Sequence, residues 1–467
     1  MSHSSKDHPE FQPACTEGVR VTASEVAGFV RDRLPPGGLF AGQTWLTALG
    51  PFKIDPGFAA ELEHFGRILL QFNRAVNLLY RQSAAGKQPG WIAHWLDIGK
   101  PQELIALQRD AAFKNDIPRV IRPDIVLAED GWYITELDAV PGGMGLTAWL
   151  NMTYSELPGA SELPGVIGGA NGMVQGFNSI FPETRRIHIV ISEEAATYKP
   201  EMEWLAAQVN ANARAEICRL RDTAYQYFQP GDAVYRFFEL FDLPNVPNSG
   251  AIFDLARSKR IFLTPPPKPC FEEKMLFALL WNRNLRDFWR QELGNRFFSL
   301  LLEHVPCTWV MDPAPLPPHA TIPNLNITNW NQLASFSQRE RELVLKVSGF
   351  SPLAWGARSV SLGSDMSRDD WSAAVTKALE SFSRSPYVLQ RYHKPRIVQT
   401  EWFDFDKGSV IKLDGRARLC PYYFVTGEGD NARAVLSGVL VTVCPADKKI
   451  VHGMSDAVLA PAAVRDD

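Results

Sequence analysis

The chain lacks most of the marks that assign a protein to a class at sight. Its six cysteines (Cys15, Cys218, Cys270, Cys307, Cys420 and Cys444) are scattered through 467 residues with no CxxC pair. That spacing argues against a disulfide framework and against a zinc site. No apolar run approaches the roughly 18 residues that a membrane span needs. The opening stretch, MSHSSKDHPEFQPA, is polar and has no apolar h-region, so no secretory signal is expected. Basic blocks are missing too, and a net charge of −4 with a pI near 6.2 leaves no footprint for nucleic acid. Neither GxSxG nor HxxxH occurs, and no Cys–His pair stands out as a nucleophile and its base. These absences lead to the expectation of a soluble, cytoplasmic protein with no membrane or nucleic-acid partner; the oligomeric state is not legible.

What is present is a chain 45% apolar, long enough for two or three domains or one elaborate one. Residues 1–20 read as a disordered tail. Residues 21–180 read as a helical N-terminal region plus a β-hairpin; within it, AAELEHFGRILLQFNRAVNLLYRQSA has the three-and-four spacing of an amphipathic helix. Over 181–265 the order is strand (RRIHIVIS), helix (KPEMEWLAAQVNANA), strand (AEICRL), strand (DAVYRFFEL), which predicts a small parallel α/β module. TPPPKP, from Thr264 to Pro269, reads as a hinge or linker. Across 266–467, FEEKMLFALLWNRNLRDFWRQEL reads as one long aromatic-rich helix, SFSQRERE and DDWSAAVTKALESF as helices, and ELVLKVSG, PYVLQRYH, ARLCPYYFVTG and ARAVLSGVLVTVCP as strands.

The hairpin IRPDIVLAEDGWYITELDAV (Ile121 to Val140) holds Arg122, Asp124, Glu136 and Asp138 inside its strands. Alternation puts Arg122 with Asp124, and Glu136 with Asp138, on one face each. A two-residue Asp-Gly turn would pair Glu129 with Trp132 and split the charges. A three-residue loop, Glu129-Asp130-Gly131 with Gly131 left-handed, pairs Ala128 with Trp132 instead. It sets Asp124 opposite Glu136 and Arg122 opposite Asp138, with Val126, Ala128, Trp132 and Ile134 filling the turn end of the same face. Facing carboxylates repel, and a divalent metal such as Mg²⁺ is the economical neutraliser, since it takes one or two carboxylates plus phosphates. The alternative is an exposed face on which Arg122 pairs with an acid.

Three downstream segments suit phosphate chemistry. ELVLKVSGF brings Lys346 out of a strand into a loop with Gly349, Gly356 and Arg358, where a lysine can hold a polyphosphate. FEEKMLFALLW puts Lys274 at a helix start, and PYVLQRYH puts Gln390 and Tyr392 on one face with hydrogen-bonding capacity for a purine edge.

Taken in order, RPD at Arg122, ELD at Glu136, EKMLFALLW, LKVSG around Lys346 and LQRYHKP around Gln390 resemble the amide-ligase domain of glutathionylspermidine synthase and its relatives. These are circularly permuted ATP-grasp proteins. The resemblance covers roughly 95–155 and 180–460, and includes the twelve-residue separation of Asp124 and Glu136. It implies an α+β, ATP-grasp-like fold in permuted order, with a parallel α/β module preceding the nucleotide-binding half. It also implies an ADP-forming carboxylate–amine ligase that uses ATP and Mg²⁺ on small-molecule carboxylate and amine substrates. Asp124, Glu136 and Asp138 would hold the metal, and Arg122 would stabilise the transferred phosphoryl group. Lys274 and Lys346 would hold phosphates along a loop with Gly349 and Gly356, and Gln390 and Tyr392 would face adenine.

There are departures from the pattern. Asp138 stands where the family has Asn. The loop VSGFSPLAWGARSV is longer and poorer in glycine than the family's. VLSGVLVTVCPADKKIVHGM has no arginine at the family's C-terminal position, although Lys448, Lys449 or His452 could stand in. A companion amidase domain is not evident. Two other readings stay open: a nucleotide-binding regulatory or scaffold protein without catalysis, and an NAD(P)-dependent oxidoreductase, since Gly143 to Ala148 fits GxGxxA between a strand and a helix.

Overall fold

The computed structural model describes residues 21–465 apart from 39, 41–43, 160–164, 214, 355, 357 and 452–454. The tail expected over residues 1–20, and His452, lie outside the described residues. The fold is mixed α/β, of the α+β kind, with three sheets.

The hairpin strands Val120–Ala128 and Gly131–Asp138 form one end of an eight-stranded sheet. From the hairpin the sheet runs through Ser409–Thr426, Arg433–Pro445 and Val458–Val464 to Leu46–Thr47. Ile397–Asp404 pairs with the first half of Ser409–Thr426, and Phe52–Ile54 pairs with Val458–Val464. The two N-terminal strands were not expected: at two and three residues they are too short to show alternation.

One face of this sheet is covered by the helix Pro56–Ala84. Asp55 caps it, accepting the Gly57 N–H at 2.8 Å, and Pro56 opens its first turn. Leu62, Phe65, Leu69, Phe72, Val76 and Leu79 recur at helical spacing and are all buried, each contributing about 1.5–3 kcal/mol. Helices Met275–Trp281 and Arg286–His304 join the same core. They were expected as one helix. Asn282, with extended backbone, ends the first, and its side chain accepts the Asn284 N–H at 3.0 Å. SFSQRERE, also expected as a helix, is irregular backbone and a turn after Ser335, which ends the short 3-10 helix Trp330–Ser335.

Against the other face lie the helices Met144–Ser155 and Gly172–Ser179, followed by a parallel sheet in the order Cys218–Arg221, Ile187–Ile191, Ala233–Phe237, Phe262–Thr264. Ile187–Ile191 and Ala233–Phe237 are buried throughout, as strands covered on both faces must be. The segment Thr264 to Pro269 is buried, not a free linker. Proline carries no N–H to satisfy, so the run can be buried at low cost. Lys268 at its end donates to Asn77 Oδ1 and to the Asp116 carbonyl, both at 2.8 Å.

The third sheet is antiparallel, in the order Ser361–Leu362, Leu343–Val347, Tyr387–Arg391, Thr308–Val310. Leu343, Leu345, Val347 and Leu389 pack in one core with Trp371 and Val375 of the helix Arg368–Glu380. Alternation turns Val344, Lys346 and Gln390 the other way, toward the hairpin.

Candidate active site

In the hairpin, Arg122 lies opposite Asp138 and Asp124 opposite Glu136, but not by the expected turn. The turn has two residues, Glu129 and Asp130, and Ala128 pairs with Gly131. Gly131, at φ +150°, is a strand residue rather than the last residue of a loop. Such a turn would set Asp124 opposite Thr135. A bulge beside Asp124 makes Thr135 the extra residue and restores the charged register. The bulge also sends Trp132 and Ile134 into the core with Ile125 and Leu127, not onto the charged face.

Arg122 is the hub of that face. Its Nε donates to Asp124 at 3.0 Å, one terminal nitrogen pairs with Asp138 at 3.0 Å, and the other donates to the Gly142 carbonyl at 3.1 Å. Burial would lower its pKa, yet Asp124 and Asp138 hold it well above the ordinary arginine value. Lys274 Nζ sits 2.7 Å from Glu136 and donates to the Ala354 carbonyl at 2.8 Å. Burial raises the Glu136 carboxyl, but Lys274 and Lys346 together bring its pKa below the usual value.

Lys346 reaches across from the third sheet. It donates to Gln390 Oε1 at 2.9 Å and to the carbonyl of the bulge residue Thr135 at 3.1 Å. Burial pushes its pKa down to about 8, against the pull of Glu136.

One guanidinium was missed. Arg418, on Ser409–Thr426, pairs with Asp124 at 3.3 Å, and its buried Nε has no protein partner among the described residues. A signal existed, since Arg416 and Arg418 alternate at the entry to the apolar run 419–425. The position at which the family arginine is expected lies further along the chain. There, Lys449 lines the cleft, whereas Lys448 donates to the Ser455 carbonyl at 2.6 Å.

Arg122, Arg418 and Lys274 thus neutralise the three acids, a role the sequence reading gave to a metal. Among the described residues no three His, Cys, Asp or Glu side chains form a metal-holding group. Asp138 has both oxygens engaged, one by Arg122 and one by the Val140 N–H at 2.8 Å. Asp124 has both oxygens engaged as well, by Arg122 and Arg418, so with Glu136 it fits a hard cation only when phosphates draw those guanidiniums away; such a cation needs only one or two carboxylates when phosphates supply other ligands.

The remaining expected residues divide. Gln390 spends its amide on Lys346 and on Thr308 Oγ1, at 3.2 Å, so its side chain is not free to read a purine. Tyr392 lines the cleft, its hydroxyl donating to the Lys449 carbonyl at 2.9 Å. Gly349 is buried against Glu272 and Glu273. Gly356 is exposed, and Arg358 points to Glu194 at 2.9 Å, so neither is brought to the cleft.

Between the hairpin end of the eight-stranded sheet and the third sheet lies a cleft. Val126, Pro306, Val344 and Val360 form its apolar walls, and Asp124, Glu136, Lys346 and Arg418 its charged end. A second, small chamber shares Glu136 with the cleft and is lined also by Asp138, Glu239, Glu272, Lys274, Phe241 and Phe350. Burial and the neighbouring Glu272 hold the Glu239 carboxyl well above its usual range. Larger hollows exist elsewhere, but in one, near Phe52 and Gln399, every charged residue is exposed.

The GxGxxA segment is not arranged for a dinucleotide. The Glu201 carboxylate accepts the N–H of Gly143 at 2.7 Å and of Leu146 at 2.8 Å, taking the helix start where a pyrophosphate would sit. Burial pushes that carboxyl up to about 7 against those bonds. A Cβ on Gly145 would come within 2.0 Å of the Glu201 carbonyl, so this glycine serves helix packing.

No family model matches the chain, and no curated protein matches it. Among solved structures it shares its fold with a glutathione synthetase-like effector from Globodera pallida in its apo form. The TM-score is 0.56 at 10% identity, over 97% of this chain and 99% of that one. A provisionally named gamma-glutamylcysteine synthetase from Methylobacillus flagellatus KT aligns over 84% of this chain and 88% of its own, at 12% identity and a TM-score of 0.37.

Proposed function

We propose that the protein is an ATP-grasp carboxylate–amine ligase that uses ATP and Mg²⁺, forms an acyl phosphate and releases ADP. One observation carries the reading: Lys346 and Arg418, from separate segments, stand with Asp124 and Glu136 at the charged end of an apolar cleft between two sheets, and Lys274 pairs with Glu136 from the adjoining chamber. The apolar walls suit a nucleobase, and the lysines and Arg418 suit its phosphates. Held by Asp124 and Glu136, Mg²⁺ would neutralise charge on the transferring phosphoryl group. When phosphates engage Lys274, Glu136 is released from its ion pair.

In the reaction a substrate carboxylate oxygen attacks the γ-phosphorus and ADP leaves. The amine then attacks the acyl carbon and phosphate leaves. The chain contributes position and fixed charge: Arg122 and the lysines stand where negative charge accumulates. The second chamber, adjoining Glu136, suits the other partner, and its acidic wall favours an amine over an anion.

The test is ADP release with ATP, Mg²⁺ and pooled amino acids, polyamines and peptides. Turnover that needs both a carboxylate and an amine is expected. The placement of Gly356 and Arg358 away from the cleft supports a second reading, a nucleotide-binding regulatory protein without catalysis. ATP binding without turnover in any pool would favour that reading, and absence of ATP binding would overturn both.

A further inference from the structure

Lys274 and Lys346 come from different segments, and a buried group of side chains ties their backbones together. Lys100 and Glu273 form an ion pair with both side chains 1% exposed. The other Glu273 oxygen accepts the Ser348 hydroxyl. That hydroxyl accepts the Met275 N–H at 2.9 Å, and the Ser348 carbonyl accepts the Lys274 N–H at 2.9 Å. The helix start bearing Lys274 is therefore fastened to the residue two places beyond Lys346. Gly349 makes the contact close: a Cβ there would lie 2.4 Å from the Glu272 carbonyl and 2.8 Å from the Glu273 carboxyl carbon.

The turn carrying Lys100 is itself wedged. Gly99, at φ +75°, approaches the Arg384 carbonyl so closely that a Cβ would stand 2.1 Å from it. Arg384 lies just before the strand Tyr387–Arg391, which carries Gln390. The Gly99–Lys100 turn thus touches both the start of the Lys274 helix and the approach to the third sheet. A buried ion pair adds little to stability over an apolar replacement, so its presence at the root of two phosphate lysines calls for another role.

We infer that Lys100, Glu273 and Ser348 are positioning residues that set the spacing of Lys274 and Lys346 for a polyphosphate. This rests on the nucleotide reading above. None of the three touches the phosphates; they act through the two lysines. A misplacement of about 1 Å in a positioned charge can cost on the order of a hundredfold in rate, and the cost in binding alone is smaller.

The experiment compares ATP and adenosine binding by calorimetry in the parent, in Ser348→Ala and in the double variant Lys100→Met/Glu273→Gln, with a melting curve for each. In both variants ATP affinity is expected to fall about tenfold while adenosine affinity stays within about twofold. The double variant is expected to melt no lower than the parent, because a neutral pair replaces buried charges. Unchanged ATP affinity in folded Ser348→Ala overturns the inference, as does an equal loss of ATP and adenosine, which marks a merely structural role. If the double variant does not fold, Ser348→Ala decides alone. A parent that binds neither ligand overturns the nucleotide reading and the inference with it. A parent that binds ATP, with unaffected variants, overturns the inference only.

Discussion

Replacing Lys346 with methionine is expected to weaken ATP binding by about a hundredfold while changing stability by no more than about 1 kcal/mol. A hydrogen bond to a charged group contributes about 1.5–3 kcal/mol, and the upper part of that range gives the hundredfold. Stability is spared because two effects oppose each other. The substitution leaves Gln390 Oε1 and the Thr135 carbonyl without their donor, beside a cleft that water can enter. It also removes an ammonium that is costly to bury, as its pKa near 8 records. The sign follows from that value. A lysine whose folded pKa lies below its unfolded 10.5 costs stability while it is charged in the fold, and the cost fades as pH rises from about 8 to 10.5. The variant's relative stability is therefore greatest at or below pH 8. ATP affinity of the parent declines as pH rises through 8, and the variant lacks that decline. Calorimetric titrations and urea melts at several pH values check both halves. A variant that binds ATP like the parent removes Lys346 from the site.

Arg122→Met is expected to lower stability by about 3–5 kcal/mol and to abolish turnover. Breaking a paired buried charge leaves its partners uncompensated, and here one guanidinium serves both Asp124 and Asp138. Asp124 keeps Arg418 at 3.3 Å, so Asp138 is the more exposed to the loss. Burial already holds the Asp138 carboxyl above its ordinary value against the pull of Arg122, and without Arg122 it rises further. The deficit is then full at neutral pH and shrinks as pH falls through the raised values, where the orphaned acids take up protons. Arg122→Lys keeps the charge but cannot form the three-way contact. Adding Asp124→Asn and Asp138→Asn to Arg122→Met is expected to recover most of the stability and none of the activity. Urea unfolding at pH 7 and pH 4 with a parallel ADP assay measures this. Loss of stability without loss of activity would leave Arg122 a structural residue only.

The charged positions were legible in the sequence because a strand that alternates faces makes four charges in two strands conspicuous. Their pairing was also legible, but for a reason the structure replaces: a shorter turn and a bulge at Thr135 give the same register as the longer loop. Thr135 reads as an ordinary strand residue, so nothing in the sequence marks it as the extra one. Lys346 stood out as a lysine at a strand end. That Gln390 is spent on it depends on Leu343–Val347 lying beside Tyr387–Arg391, and strand order within a sheet is not written in local pattern. Arg418 carried the same signal as the hairpin and went unread. The proline run at Thr264 looked like a linker because composition cannot report that the core closes over it. Arg122 pairs with Asp124 and Asp138 inside one hairpin, which the sequence left open, but the further neutralisation by Arg418 and Lys274 needed distant segments to meet, which no single stretch discloses.

The central claim, that the cleft between the eight-stranded sheet and the third sheet is a nucleotide site, is tested most directly by a crystal structure with a nonhydrolysable ATP analogue and Mg²⁺. The account predicts the base between Val126 and Val344. It predicts phosphates within hydrogen-bond reach of Lys346 and Lys274, and Glu136 released from Lys274 to face the cation together with Asp124. An analogue seated in another hollow, with the Lys274–Glu136 pair still closed, would contradict it.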